Sequence, residues 1–388
     1  MTFRAKFALI ALTLPVAAIS LPATAGPHTI YRTPQSNEAE RIRDDQWHLR
    51  YLNVGRAHAI SQGDGVIVAV PDTGVDPHPD LSNNLLQGID TVSGESGNGQ
   101  TDPNSHGTSM AGLIAAHGRG GNNGALGIAP RAKILPIKAA AADNLGEADE
   151  LAAAVEYATA KRVQVISISS GGASTDRLIR AVQAALAADI IVVAAVGNLP
   201  YGSFGYPASE EGVIAVGGVG RDGLHAAVSV TGPKIDVVAP AVDIYSTSYG
   251  GKYSKGTGTS SATAIVAGAA ALIRSKYPYL PAREVAHRLT ATAIDKGAPG
   301  RDDEYGYGVI DLVAALTADV PPLGFESVSA SAGAGSTTAA GAQPGDDEGG
   351  ATVRGLATLG VILAAGVGWA VVARRRRRGD DPPPRISR

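Results

Sequence analysis

Three short segments of this 388-residue chain carry an aspartate, a histidine and a serine in contexts suited to nucleophilic catalysis. Asp72 lies in Val-Pro-Asp-Thr-Gly, His106 in Ser-His-Gly-Thr and Ser260 in Gly-Thr-Ser-Ser-Ala. A serine hydroxyl is a weak nucleophile until a base removes its proton, and that base needs a carboxylate to orient it. Histidine titrates near neutrality, so it can accept the proton and return it to a leaving group. Together the segments indicate acyl transfer through a serine nucleophile.

Each segment also has a simpler explanation when it is taken alone. Asp72 could belong to an ordinary turn. Aspartic peptidases use Asp-Thr-Gly as well, but they need two copies and this sequence has one. Thr259 or Ser260 could serve only as a helix cap, and Ser261 is the nearest competing nucleophile. The simple explanations would all have to hold at once, so the joint hypothesis is favoured.

A fourth residue fits the same chemistry. Asn198 follows the apolar run Val-Ala-Ala-Val-Gly, and a side-chain amide there can donate a hydrogen bond to an oxyanion. Ser260 opens an alanine-rich helical stretch, whose first N–H groups have no partner within the helix. The sequence therefore predicts an oxyanion site between Asn198 and the Ser260 N–H. A Gly-Asn turn is the alternative for this dipeptide.

Short apolar runs alternate with helical stretches along the chain. Five runs are typical of buried strands: Val66–Val70, Ile134–Lys138, Val163–Ser169, Ile190–Ala195 and Val213–Val216. Five stretches are typical of helices: Ser109–Ala116, Glu147–Ala160, Thr175–Ala187, Ser260–Lys276 and Ala282–Thr292. The alternation predicts an α/β fold with a mostly parallel twisted sheet and helices on both faces. Such sheets form sites at the carboxyl ends of their strands, where Asp72, Ser169, Ser170 and Asn198 all lie.

The first 25 residues predict a secretory signal peptide. Arg4 and Lys6 provide a basic start, Phe7–Ile19 is largely apolar, and Ala23-Thr24-Ala25 fits a small-residue cleavage site. An uncleaved anchor is the alternative, although the apolar run is short for a membrane span.

The C-terminal end predicts a membrane anchor. Residues 318–354 are rich in glycine, alanine, serine and threonine, and so predict a flexible stalk. Residues 355–373 form a stretch of 19 residues without a charge, close to the ~20 that a transmembrane helix needs. Five arginines then open the tail over 374–388, and such clusters stay cytoplasmic. We therefore expect a single-pass protein of the cell membrane, with its main domain outside the cell and its C-terminus in the cytoplasm.

The remaining chain predicts an N-terminal extension over 26–45 and one large domain over 46–317. That length is sufficient for a sizeable core. The chain has no cysteine, so its stability does not come from disulfides. Residues 26–373 hold 24 basic and 34 acidic residues, a net charge of −10, and this sign disfavours nucleic acid as a partner.

The motifs resemble those of the subtilisin-like serine peptidases over about 46–316. The resemblance implies an endopeptidase with a catalytic triad of Asp72, His106 and Ser260, and with Asn198 in the oxyanion hole. Where the family usually has proline four residues after the nucleophile, this chain has Ala264. Proline there shapes the helix start without taking part in the chemistry, so we expect activity to survive.

The resemblance also implies how a substrate binds. Ser169, Ser170 and Gly171 resemble the segment that pairs with the backbone of an extended polypeptide and walls the first specificity pocket. Strand-like pairing reads backbone more than side chains, so cleavage preference would come from the pockets.

The layout is similar to that of the mycosins, membrane-anchored subtilases associated with type VII secretion. The similarity lies in Gln46-Trp47-His48-Leu49, the short N-terminal extension, the stalk and the C-terminal span with its arginines. It implies a secretion complex as a further partner. The alternative function is a structural scaffold of such a complex, with proteolysis dispensable.

No cofactor is required by this chemistry. His78-Pro79-Asp80-Leu81 resembles a segment where many subtilases bind structural calcium, and the loop 121–124 could offer carbonyl oxygens. Only Asp80 can be named as a ligand, whereas calcium needs six to eight oxygens, so a metal-free loop is the favoured alternative. The sequence contains no histidine or cysteine cluster that would indicate zinc.

Overall fold

The structure, a computed structural model, describes residues 38–92, 97–141, 147–200 and 204–324. The predicted signal peptide, transmembrane segment and cytoplasmic tail, and residues 325–354 of the predicted stalk, lie outside the described residues. Across the described ranges, no helix has both the length and the apolar character that crossing a membrane requires.

A parallel sheet of seven strands forms the centre of the described domain. The strand order is β2-β3-β1-β4-β5-β6-β7, and each neighbouring pair is parallel. The strands are β1 Ile67–Asp72, β2 Ile89–Asp90, β3 Lys133–Lys138, β4 Val165–Ile168, β5 Ile191–Ala195, β6 Ile214–Val219 and β7 Val237–Pro240. A separate antiparallel pair is formed by β8 Ile244–Ser248 and β9 Lys252–Gly256.

Helices cover both faces of the sheet. They are α1 Glu38–Asp45, α2 Trp47–Tyr51, α3 Val54–His58, α4 His106–Ala115, α5 Ala148–Ala160, α6 Asp176–Ala187, α7 Thr259–Lys276, α8 Ala282–Ala291 and α9 Leu312–Thr317. Val68 and Val70 of β1 belong to the apolar cluster that includes α4 and α7, whereas Ala69 belongs to the cluster that includes α5 and α6. Successive side chains of β1 are thus buried on opposite faces, which explains why the parallel strands are continuous apolar runs.

The predicted α/β architecture is confirmed, and the predicted strands match β1, β3, β4, β5 and β6. The predicted helices match α4 to α8, although α4 begins at His106 rather than at Ser109. The strands β8 and β9 were not predicted, because their polar sequences Ile-Tyr-Ser-Thr-Ser and Lys-Tyr-Ser-Lys-Gly do not form apolar runs. The helix α1 lies inside the predicted N-terminal extension.

Helix α7 runs through the core and fixes the position of Ser260. Every residue from Thr259 to Arg274 is buried, so the small side chains serve close packing rather than an amphipathic surface. Gly268 shows how tight that packing is, since a Cβ atom there would lie 2.6 Å from Cβ of Ile128.

Candidate active site

The first predicted pair of site residues meets at the carboxyl edge of the sheet. Asp72 is the last residue of β1, and His106 is the first residue of α4. His106 Nδ1 lies 2.7 Å from Asp72 Oδ1, which also accepts a hydrogen bond from the Thr73 N–H. A carboxylate at Nδ1 favours the tautomer with a proton there, so Nε2 is left as a proton acceptor.

The surroundings of His106 tune its basicity. Burial alone lowers the pKa of His106, but the charge and hydrogen bond of Asp72 and the charge of Asp102 outweigh burial, so the pKa lies above its ordinary value. The side chain keeps 23 % of its surface exposed. A substrate can therefore reach an imidazole whose protonated form is stabilised.

A close backbone approach brings α4 to Asp72. A Cβ atom on Gly107 would lie 2.0 Å from the carbonyl oxygen of Gly74 and 3.1 Å from Cβ of Asp72. Only glycine fits this contact, which accounts for the His-Gly pair in the motif.

Ser260 lies in the first turn of α7, near the same edge. Its Oγ hydroxyl donates a hydrogen bond to the carbonyl oxygen of Ser169 at 3.2 Å, and Ser169 lines the cavity that Asp72 and His106 also line. The N-cap residue of α7 is Gly258, which has no side chain to cap the helix. Neither Thr259 nor Ser260 is therefore the residue that caps α7, as the alternative proposed.

Asn198 lies beside the start of α7. Its Oδ1 accepts hydrogen bonds from the backbone N–H of Thr259 at 2.8 Å and from Thr259 Oγ1 at 3.1 Å. Because the amide oxygen faces these two donors, the amide NH₂ group is left to donate elsewhere. Asn198 also comes after β5, as its sequence position predicts.

Ser169, Ser170 and Gly171 follow β4 and line a cavity of about 230 Å³ together with Asp72 and His106. The rest of the lining is mostly apolar and includes Ala139, Leu151, Leu178 and Tyr206. Ser170 and Gly171 are exposed, so an extended chain can approach their backbone.

The sequence model of the subtilase family matches residues 63–308. The chain belongs to the subtilase family. Subtilisin DY from Bacillus licheniformis is 41 % identical over 260 residues, which cover 66 % of this chain and 92 % of that protein. This subtilase is accordingly a serine-type endopeptidase homologous to the subtilisins.

Solved structures of mycosins resemble this subtilase. The crystal structure of MycP1 from Mycobacterium smegmatis has a TM-score of 0.66 at 29 % identity, covering 74 % of this chain and 87 % of that one. The structure of the MycP3 protease from the type VII (ESX-3) secretion system has a TM-score of 0.61 at 33 % identity, covering 74 % of this chain and 90 % of that one.

The residue that the sequence analysis missed is Asp102. It is 3 % exposed, and its Oδ1 accepts hydrogen bonds from Thr73 Oγ1 at 2.8 Å and from the backbone N–H groups of Asn104 and Ser105. Its Oδ2 accepts from the N–H and the Oγ1 of Thr108 at 2.9 and 2.6 Å. An aspartate shortly before a helical run is a helix-start signal, and that signal could have identified it.

Asp80, the one residue named as a possible calcium ligand, is not arranged to bind a metal ion. Asp80 is fully buried, and its Oδ1 accepts from Arg119 Nε at 2.6 Å. Its Oδ2 accepts from the Ala125 N–H at 2.7 Å and from the Tyr253 hydroxyl at 2.8 Å. Calcium requires oxygen lone pairs directed at the ion, and here hydrogen-bond donors face both oxygens. In the described ranges, no group of three or more histidine, aspartate or glutamate side chains is arranged to hold a metal.

Proposed function

We propose that Asp72, His106 and Ser260 are the catalytic triad of this subtilase and that it hydrolyses peptide bonds through an acyl-enzyme. The observation that carries the proposal is the 2.7 Å contact between His106 Nδ1 and Asp72 Oδ1, at the sheet edge where α7 presents Ser260. The contact orients the imidazole and leaves Nε2 free for the serine proton.

Acylation follows from the positions of these groups. The Ser260 hydroxyl turns from the Ser169 carbonyl toward His106 as substrate binds, since such hydrogen bonds often tighten only in the substrate complex. Nε2 of His106 takes the hydroxyl proton while Oγ forms a bond to the carbonyl carbon of the substrate. The tetrahedral intermediate collapses when His106 passes that proton to the leaving amine, and an ester to Ser260 remains.

Stabilisation of the oxyanion is assigned to Asn198 and the backbone of Ser260. The Asn198 oxygen is already occupied by Thr259, so its NH₂ group is available to the developing charge. The Ser260 N–H belongs to the first turn of α7, where helical N–H groups lack partners within the helix. In deacylation a water molecule gives a proton to His106 and attacks the ester, and Ser260 regains its proton.

The substrate is an extended polypeptide whose backbone lies along Ser169, Ser170 and Gly171. We assign the enzyme to the outer face of the cell membrane, exported by the N-terminal signal and held by the span over 355–373. The sequence features support this location, and the likeness to MycP1 and MycP3 supports a place in a type VII secretion complex.

Hydrolysis of an unstructured protein by the detergent-solubilised full chain tests the proposal. Ser260→Ala and His106→Ala each lower kcat by about 10³-fold or more, because the triad acts as a unit. Ser261→Ala is the matched control, since Ser261 is the adjacent buried serine on α7, and this variant is expected to keep near wild-type rates. An active Ser260→Ala would exclude Ser260 as the nucleophile, and restoration of secretion by an inactive Ser260→Ala would favour the scaffold role instead.

A further inference from the structure

We propose that Asp102 is a positioning residue for the general base: it fixes His106 against Asp72 and its charge stabilises the imidazolium formed during acyl transfer. The proposal rests on the proposed function, because it assigns His106 the role of general base. Asp102 does not contact the substrate cavity, so it acts only through other residues.

The hydrogen bonds of Asp102 join the two elements that carry the catalytic pair. Thr73 directly follows Asp72, and its Oγ1 donates to Asp102 Oδ1 at 2.8 Å. The same Oγ1 accepts from the N–H of Gly107, which directly follows His106, at 3.1 Å. One side chain and one bridging hydroxyl therefore set the separation between the end of β1 and the start of α4.

Asp102 also determines where α4 begins. It accepts the N–H groups of Ser105 and Thr108 at 2.9 Å each, on both sides of His106 in the chain. Ser105 has a left-handed backbone with φ 82°, which is uncommon outside glycine. The two hydrogen bonds to the Asp102 carboxylate hold this bend. The bend orients His106, the first residue of the helix, toward Asp72.

Few other charged groups act on the His106 imidazole beside Asp102. Among the described residues, Asp72 is the other acidic group whose charge acts on the imidazole. The first turn of α7 carries no acidic residue and the sequence of β8 carries no charge. From β3, Lys138 is paired with Asp90 at 3.2 Å, and Glu147 lines the cavity. A change of charge at Asp102 should therefore appear in the titration of His106.

Helix α4 has a second set of supports, so we expect the protein to fold without the Asp102 carboxylate. From β8, Ser246 Oγ and Thr247 Oγ1 donate at 2.7 Å each to the carbonyl oxygens of Ser109 and Thr108. Ser248 Oγ donates to Ser105 Oγ at 2.9 Å.

The test is the pH dependence of peptide hydrolysis by the full chain carrying Asp102→Asn. We expect kcat to fall about tenfold with little change in KM, since the placement and the charge stabilisation of the general base are disturbed while the substrate contacts remain. The acid limb of the kcat/KM profile moves to lower pH, because a negative charge that raises the pKa of His106 is gone. A purely structural role would lower the rate without moving the limb.

The matched control is Asp311→Asn. Asp311 caps α9 by accepting the N–H groups of Val313 and Ala314, and it belongs to another part of the domain. This variant is expected to keep the wild-type profile. An acid limb that stays at its wild-type position in Asp102→Asn overturns the inference, and an inactive wild type would instead count against the proposed function.

Thr73→Val tests the inference independently. It can be used even if Asp102→Asn fails to fold. It removes the hydroxyl that joins Asp102 to Gly107 and keeps the charge. The inference predicts a lower kcat with an unmoved acid limb, and a wild-type kcat in this variant overturns it.

Discussion

At the scale of single residues, two buried aspartates near His106 differ in what they contact. Asp72 accepts directly from the imidazole Nδ1. Asp102 accepts hydrogen bonds from two threonines and from backbone N–H groups, so it acts on His106 through these neighbouring residues. The sequence motifs predicted Asp72, because chemistry restricts which residues can contact the proposed general base. Asp102 was missed because its partners are assembled by the fold.

Asn198 offers the first residue-scale prediction. Asn198→Ala removes a donor to the oxyanion, so kcat falls by roughly 10²- to 10³-fold while KM changes little. Steady-state kinetics on a peptide substrate measures both constants. The control is Thr259→Val, which removes a hydroxyl that donates to Asn198 Oδ1 but leaves the amide and the Thr259 N–H in place. An effect on KM alone would mean that Asn198 binds substrate without stabilising the transition state.

At the scale of elements, helix α2 carries an unsatisfied buried histidine. His48 is fully buried, and neither ring nitrogen has a hydrogen-bond partner among the residues that the structure describes. Burial, aided by the charge of Arg50, lowers its pKa to about 3. The folded pKa lies below the unfolded value, so the unfolded chain takes up a proton first as the pH falls. The His48 contribution to the free energy of unfolding is fully present above the ordinary histidine pKa. It is lost as the pH falls from there toward the pKa of His48 in the folded protein.

The resulting prediction concerns the pH dependence of stability. Between about pH 7 and about pH 5, the wild type loses roughly 2 kcal/mol of unfolding free energy through His48. His48→Leu removes this loss, as measured by denaturant unfolding at both pH values. His287→Gln is the control, because His287 is accessible and its Nε2 is hydrogen-bonded to the carbonyl oxygen of Pro321. An unchanged pH dependence in His48→Leu would contradict the argument.

The loop after α4 supplies a second element-scale prediction. Arg119 provides the cation for the buried Asp80, so we expect Tm of the wild type to be the same in calcium and in EDTA. Arg119→Ala leaves a buried carboxyl without its partner and lowers Tm by a few degrees. Arg131→Ala breaks an exposed pair with Asp64 and has little effect on Tm. A rise in the wild-type Tm on adding calcium would contradict the account.

At the scale of the whole molecule, the sequence predicted what depends on local pattern. Parallel strands such as β5 are buried on both faces, so they appear as apolar runs. The hairpin of β8 and β9 is polar, and side chains of β8 donate hydrogen bonds to α4. These are tertiary contacts, which the local sequence pattern does not show. The Asp80 motif named a possible calcium ligand, but the partner of this carboxylate is Arg119, which lies 39 residues further along the chain.

The central proposal is that Ser260 is the nucleophile of this serine peptidase. Its most direct test is mass-spectrometric mapping of a fluorophosphonate adduct on the folded full chain. The account predicts a single active-site adduct on Ser260, lost in Ser260→Ala and retained in Ser261→Ala. An adduct on Ser261, or no adduct on the folded wild type, would contradict it.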